Sequence, residues 1–143
     1  MLTIYARLLA TIICLAGTSF AAEPQVALRL PPSESNPRNS EGDFIQLADG
    51  RILFVYTRFT GGGGDHDHAS LASRVSTDGG KTWSDEDEIV VANEGEWNVM
   101  SVSLLRLADG RVALFYLRKN SLTDCRPLVR FSADEARRWS DPV

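Results

Sequence analysis

Cysteine and histidine are almost missing from this sequence, with two of each in 143 residues. Cys14 lies in an apolar N-terminal segment and Cys125 near the other end. Once that segment is removed, no intrachain disulfide can form, and stability must come from ordinary burial. The remaining thiol is expected to be a small buried hydrophobe. Basic charge is also short: 15 Lys and Arg face 19 Asp and Glu, a formal charge of −4. That balance argues against nucleic acid as a partner, because phosphate binding draws on basic surface. Outside the N-terminal segment no residues carry apolar side chains with a 3.6-residue period, so almost no helix is expected there.

The first 22 residues, MLTIYARLLATIICLAGTSFAA, have one charge, Arg7, followed by an apolar run over residues 8–16. The run is short of the roughly 20 residues a membrane span needs. Ser19 and Ala21 are the small side chains a signal peptidase reads, so cleavage is expected after Ala21 or Ala22. Ile13 is too large for the position before a lipidated cysteine. The expectation is an exported protein, periplasmic or extracellular, with no membrane span after cleavage and a net charge of −5 once Arg7 is lost. Residues 23–39, rich in Pro, Ser and Asn, read as an irregular lead-in.

What is present in abundance is repetition. FIQLADGRILFVYTR at residues 44–58 aligns with SLLRLADGRVALFYLR at residues 103–118, with the two LADGR cores 60 residues apart. Each copy has an apolar segment, an Asp-Gly pair and a β-branched and aromatic run, which is the pattern of a hairpin with a tight two-residue turn. A loop leads to a third strand-like segment, residues 69–75 or 126–131, and after the first copy a fourth apolar run, EIVVAN, appears. Four short antiparallel strands in a repeat of 56 to 60 residues describe a β-propeller blade.

Between third and fourth strands lies STDGGKTW, with Ser76, Asp78, Gly80, Thr82 and Trp83. An Asp carboxylate accepts backbone N–H groups along such a turn, glycines allow the bend, and an indole can bury itself beside the sheet. These parts stabilise the turn, so it reads as structural punctuation. A weaker copy keeps Ser132, Asp134 and Trp139 but has Ala136 for the glycine and Arg138 for the threonine. The pattern Ser-x-Asp-x-Gly-x-Thr-Trp resembles the Asp box, or BNR repeat, of the sialidase superfamily. The resemblance covers most of the chain from about Asn39 and implies an all-β fold, a six-bladed propeller with about two four-stranded blades present here. The corresponding division is a signal peptide at 1–22, a lead-in at 23–39, and a partial propeller at 40–143 with units at 40–95 and 98–143.

Chemistry is expected in the loop RFTGGGGDHDHA, residues 58–69, whose glycines precede a dense polar cluster. Arg58 corresponds to Arg118 across the repeats, and Asp65 is expected to correspond closely to Asp124. By resemblance, the acid in this first loop protonates the leaving group, and Asp65, 11 residues before Ser76, fits that position best, with Asp67 as substitute. Arg58 resembles the pocket-lining arginine that ends the second strand, and guanidinium suits anionic sugars through its two-pronged grip on carboxylate. The family's arginine before the opening strand is replaced by Ser40, and Arg38 lies two residues out of register. Candidate sugar-binding residues are Arg38, Arg58, Asp67, His68, Arg118 and Asp124, with Lys119 and Asn120 extending the second loop. Glu41 and Asp43 are either sugar ligands or surface charges. His66 and His68 alternate with acids, but two histidines in a glycine loop supply too few fixed ligands for a metal, and no cofactor is expected.

The family's nucleophilic tyrosine, its activating glutamate and two further arginines come from later blades. With two blades in hand, the expectation is the N-terminal third of a six-bladed protein, or a chain that assembles with copies of itself. The implied function is an exported sialidase-like exo-glycosidase acting on glycans, inactive as this chain alone. The alternative is a non-catalytic propeller that binds glycans or proteins.

Overall fold

A computed structural model of the protein describes residues 23–143. The expected signal segment, and Cys14 within it, lie outside the described residues. Seven strands succeed one another with no helix among the described residues: β1 (Arg38–Gln46), β2 (Ile52–Phe59), β3 (Ala69–Ser76), β4 (Glu88–Val91), β5 (Asn98–Arg106), β6 (Val112–Lys119) and β7 (Cys125–Ser132). They make two antiparallel sheets in chain order, β1-β2-β3-β4 and β5-β6-β7. No helix among the described residues is long and apolar enough to cross a membrane.

Each sheet begins with a hairpin, but the turn is not the two-residue type that Asp-Gly suggests. Leu47 N–H donates to the Arg51 carbonyl at 2.8 Å and Gly50 N–H to the Leu47 carbonyl at 3.0 Å. Gly50 has φ +89° and Gly110 +90°, while neither Asp49 nor Asp109 has a positive φ. This is a three-residue loop, a type I turn ending in a left-handed glycine. Asp49 is held out of the left-handed region by its own chemistry: its carboxylate accepts Arg51 N–H at 3.2 Å and the Arg51 guanidinium at 2.9 Å.

Strand β2 is central in its sheet and almost wholly covered, with Leu53, Val55 and Phe59 buried. The core lies between the sheets. Leu47, Leu53, Val55, Leu71 and Val91 of the first meet Val99, Val102, Leu104, Val112, Leu114 and Tyr116 of the second. Each such side chain contributes about 1.5–3 kcal/mol through burial. Two polar ties cross the same boundary. Asp43 Oδ2 accepts the Leu104 N–H at 2.8 Å, which assigns this unexpected acid a structural role. Glu135 accepts the Ala48 N–H at 2.7 Å and takes both ends of the Arg106 guanidinium at 2.7 and 2.8 Å.

The polar turns that begin at Ser76 and Ser132, at the ends of β3 and β7, have the geometry their residues call for. Ser76 Oγ accepts Gly80 N–H at 2.8 Å, Asp78 accepts Lys81 and Thr82 N–H at 3.0 and 2.9 Å, and the Thr82 hydroxyl donates to its other oxygen at 2.7 Å. Trp83 closes the turn by donating to the Gly80 carbonyl at 3.2 Å. The second turn keeps the serine and aspartate bonds at its core despite its substitutions. Arg138 supplies both its N–H, at 2.9 Å, and its Nε, at 2.8 Å, to Asp134, replacing the threonine hydroxyl. Ala136 donates to Ser132 Oγ at 2.9 Å from a left-handed backbone, φ +63°, and Glu135 is also left-handed at +59°.

Two further expectations need revision. Cys125 is exposed, not buried, because it opens β7, whose first three residues have no sheet beyond them. Strand β1 begins at Arg38, inside the stretch that reads as irregular. The rest of that lead-in has only the isolated Ser33–Asn36 bridge and runs beside the outer face of the first sheet, where Ala27, Leu28 and Leu30 approach Phe44, Phe54 and Trp83.

Two outcomes are expected from these turns. Replacing Ala136 with Gly relieves the left-handed strain and stabilises the protein by about 0.5–1 kcal/mol, read as a rise in Tm. The Thr82 N–H and hydroxyl hold the Asp78 carboxyl at about 2, below its unfolded value near 3.9. A carboxyl depressed by folding contributes stability above its unfolded pKa and loses it as pH falls through the folded one. Urea midpoints of the wild type should therefore fall between pH about 4 and about 2, and more steeply than those of Asp78→Ala.

Candidate functional site

The two ends of the sheets differ. Hairpin turns and the Ser76 and Ser132 turns occupy one end, while the β2–β3 loop (60–68), the β6–β7 loop (120–124) and the β4–β5 connection (92–97) gather at the other. The first loop is closed by Thr60 and Gly61 N–H groups, both donating to the His68 carbonyl at 2.8 and 3.2 Å. In the second loop Asn120 and Ser121 donate to the Asp124 carbonyl at 2.8 and 3.2 Å. Since Phe59 pairs with Ala69 and Lys119 with Cys125, Asp124 is the counterpart of His68 and not of Asp65. The first loop is four residues longer, and Asp65 belongs to the extra length.

Within that loop Asp67 is a turn-former: its Oδ2 accepts Gly64 N–H at 2.6 Å. A Cβ on Gly62 would fall 2.4 Å from that oxygen and would displace it, and the φ of +153° there is one that side chains rarely adopt. Asp65 projects outward, its side chain 60% exposed, and meets Arg38, whose Nη1 donates to Oδ1 at 2.6 Å. Arg38 also donates to the Gly63 carbonyl at 3.2 Å and lies over the Phe59 ring at 4.5 Å. Register therefore does not keep Arg38 from the loop. The hydrogen bond and charge of Arg38 hold the Asp65 carboxyl below the usual carboxylate range, with smaller help from Lys119 and His66.

The loop rests on residues from the second sheet. Asn98, fully buried, donates through Nδ2 to the Asp65 and Asp67 carbonyls, each at 3.0 Å, and its Oδ1 has no partner among the described residues. Lys119 Nζ approaches the Asp65 carbonyl at 3.4 Å and lies 5.7 Å from the Trp97 ring centroid. The His66 ring lies tilted against Trp97, with centroids 4.5 Å apart, and His68 Nδ1 meets Asn93 Nδ2 at 2.9 Å. Among the described residues no three His, Cys, Asp or Glu side chains converge as metal ligands would.

Arg58 is not with Asp65. Its Nε donates at 3.0 Å to Asp87, which also takes Arg74 at 2.7 Å and the Tyr56 hydroxyl at 2.5 Å. Burial opposes charge on Asp87, but the tyrosine and the arginines outweigh it and keep the carboxyl below its ordinary value. The second sheet repeats the arrangement with Tyr116 and Arg130 on Glu94, Arg130 reaching Glu94 Oε2 at 2.6 Å. Glu94 leaves Arg118 aside, and the Arg118 Nε is buried without a partner among the described residues. Burial and their carboxylate neighbours raise Tyr56 and Tyr116 to about 12, the opposite of an activated nucleophile. Asp124 is taken by Arg126 in a two-pronged pair at 2.6 and 2.8 Å, which lowers its carboxyl.

Asp87, which holds Arg58 and Tyr56 from just before β4, and Glu94, Trp97 and Asn98, which shape this end of the molecule, do not stand out in the sequence. One signal was available: the repeat offset drops from 60 at Arg58 and Arg118 to 56 at Ala69 and Cys125, which locates the four-residue insertion.

No family model matches this chain, and no curated protein sequence matches it. Solved structures do. A protein of unknown function from Dyadobacter fermentans matches 78% of this chain and 37% of its own, with TM-score 0.66 and 20% identity. A Hadza microbial sialidase matches 76% of this chain and 26% of its own, with TM-score 0.62 and 14% identity. A glycosyl hydrolase from Bacteroides ovatus matches 75% and 31%, with TM-score 0.57 and 21% identity. The likeness is one of fold. This chain spans between about a quarter and somewhat over a third of those proteins' lengths.

The anchoring of the loop generates a prediction. Replacing Asn98 with Ala removes both carbonyl contacts at a cost of about 1–3 kcal/mol. Amide exchange over residues 60–68 should accelerate more than exchange in β2 or β6.

Proposed function

We propose that the protein acts on glycans as an exported exo-glycosidase of the sialidase type, with the two sheets as blades of a propeller and the Ser76 and Ser132 turns as its Asp boxes. The carrying observation is the meeting of Asp65 and Arg38 on a loop at the end opposite those turns. Asp65 is the proton donor in this reading, and Arg38, Arg118 and Lys119 supply positive charge for an anionic sugar. Similarity in fold to a sialidase and a glycosyl hydrolase supports a glycan as partner. In this reading the nucleophile is neither Tyr56 nor Tyr116, whose hydroxyls burial and a neighbouring carboxylate raise to about 12.

One observation favours a second reading, a propeller that binds glycans without cleaving them. A general acid must be protonated when substrate is bound, whereas Arg38 keeps Asp65 ionised. The polypeptide that contains this chain in its natural reading frame distinguishes the two. With fluorogenic glycosides, Asp65→Ala should lower turnover by about 10²–10⁴ while glycan binding persists. Unchanged turnover removes Asp65 from the mechanism, and binding without any wild-type turnover establishes the second reading.

A further inference from the structure

At the end that bears the polar turns, the two sheets leave between them a groove of about 440 Å³, and both of its walls belong to this chain. Leu53, Val75 and Val90 of the first sheet give it an apolar lining, with Ala136 and Trp139 of the second turn opposite. A cleft of this volume lies in the range of small-molecule sites. Arg51, Arg137 and Arg138 also line it, and Glu88 stands on the β4 side.

The charges around the groove are sorted. Asp134 is taken by the Arg138 N–H and Nε, Glu135 by the Ala48 N–H and the Arg106 guanidinium, and Asp49 by Arg51. The arginines are not engaged to the same degree. Arg137 makes no hydrogen bond among the described residues, and its one ion-pair contact there is to Asp49 at 3.7 Å. Nη1 and Nη2 of Arg138, and Nη1 of Arg51, also have no hydrogen-bond partner among the described residues. Arg130 is different, since Tyr116, Ser140 and Glu94 occupy all its nitrogens.

The turn that presents these groups keeps a strained shape. Glu135 and Ala136 are left-handed at φ +59° and +63°, where the first turn has Gly79 and Gly80 at +77° and +88°. Non-glycine residues persist in that region only where their surroundings hold them, and such outliers gather at ligand sites. Here the exchange brings the Ala136 methyl to the groove and sets two arginines where the first turn has Lys81 and Thr82.

We propose that this groove binds a sulfate ester carried on a saccharide. The open guanidinium edges of Arg137 and Arg138 offer more donors than the two oxygens of a carboxylate can accept, and a sulfate ester presents three terminal oxygens. Glu88 lies on the first sheet's wall, across from that pair, and has no hydrogen-bond partner among the described residues. It repels a bare anion but accepts the hydroxyl protons of a sugar ring, while Trp139 gives the ring an apolar face. The groove is at the end of the sheets away from Asp65, so this site does not depend on that residue's role.

The test follows the backbone amides of the full chain and the Trp139 indole N–H by NMR. The probes are the primary-hydroxyl sulfate ester of N-acetylglucosamine, the corresponding phosphate ester, N-acetylglucosamine itself and inorganic sulfate. The sulfate ester should shift residues 134–140 and the indole saturably, and leave residues 60–68 in place. Arg137→Gln, which removes no hydrogen bond of the fold, should weaken that binding about tenfold. Glu88→Ala should weaken the ester without weakening inorganic sulfate. The proposal is overturned if residues 134–140 do not move, if Arg137→Gln binds as the wild type does, or if the unsubstituted sugar binds equally. Inorganic sulfate matching the ester would reduce the groove to an ion site, and tighter binding of the phosphate ester would overturn the choice of sulfate. Shifts confined to residues 60–68 would sink the groove and spare the glycosidase reading.

Discussion

Everything in this structure depends on one apolar contact between two sheets. The face of β1–β4 that carries Leu53, Val55 and Leu71 is covered by the face of β5–β7 that carries Val102, Leu114 and Tyr116. Neither three nor four short strands would persist alone in water with such a face uncovered. The polar ties reinforce this contact from within it. Asp43 meets a β5 amide, and Glu135 joins the second turn to the first hairpin and to Arg106. Those bonds have meaning only once burial has brought the sheets together.

The same contact builds the loop end. Residues 60–68 could not hold a shape from local bonds alone, because glycine gives the backbone too much freedom. Asn98, at the start of β5, supplies the missing constraint through the Asp65 and Asp67 carbonyls. The loop of the first sheet is therefore an object made by the second. Its exposed carboxylate and the arginine at the start of β1 meet because strand pairing sets Arg38 opposite Phe59, at the root of the loop.

The apposition also explains why equivalent residues have unequal partners. Tyr56 and Tyr116 occupy matching positions, yet one shares Asp87 with Arg58 and Arg74 while the other shares Glu94 with Arg130. Asp87 stands just before β4 in the first sheet, and Glu94 belongs to the connection between sheets. With the carboxylate entering from a different segment, Arg118 loses the partner that Arg58 has. The outer faces are unequal too. The lead-in reaches the first sheet beside Phe54 and Trp83, although Phe44 there stays exposed, as do Leu105 and Phe115 on the second.

Strands, hairpins and the two polar turns were legible in the amino-acid order because each is decided within a few residues: alternating apolar side chains, a glycine that permits φ near +90°, a serine and an aspartate collecting nearby N–H groups. That the chain is all-β, repeated, and punctuated where it is follows from the residues alone. The sequence misjudged the hairpin loop because Asp-Gly suits more than one turn, and the three-residue form shows only in the Leu47–Arg51 closing bond and the left-handed Gly50. It left Cys125, Asp43 and the partners of Arg58 undecided, since burial and ion pairing depend on what lies across a sheet or beyond its edge. Asp65 could be singled out only through the resemblance that the Ser76 turn carries, and its ion pair could not be foreseen. The tertiary structure decided that, by setting one guanidinium from the start of β1 against a carboxylate 27 residues away in the chain.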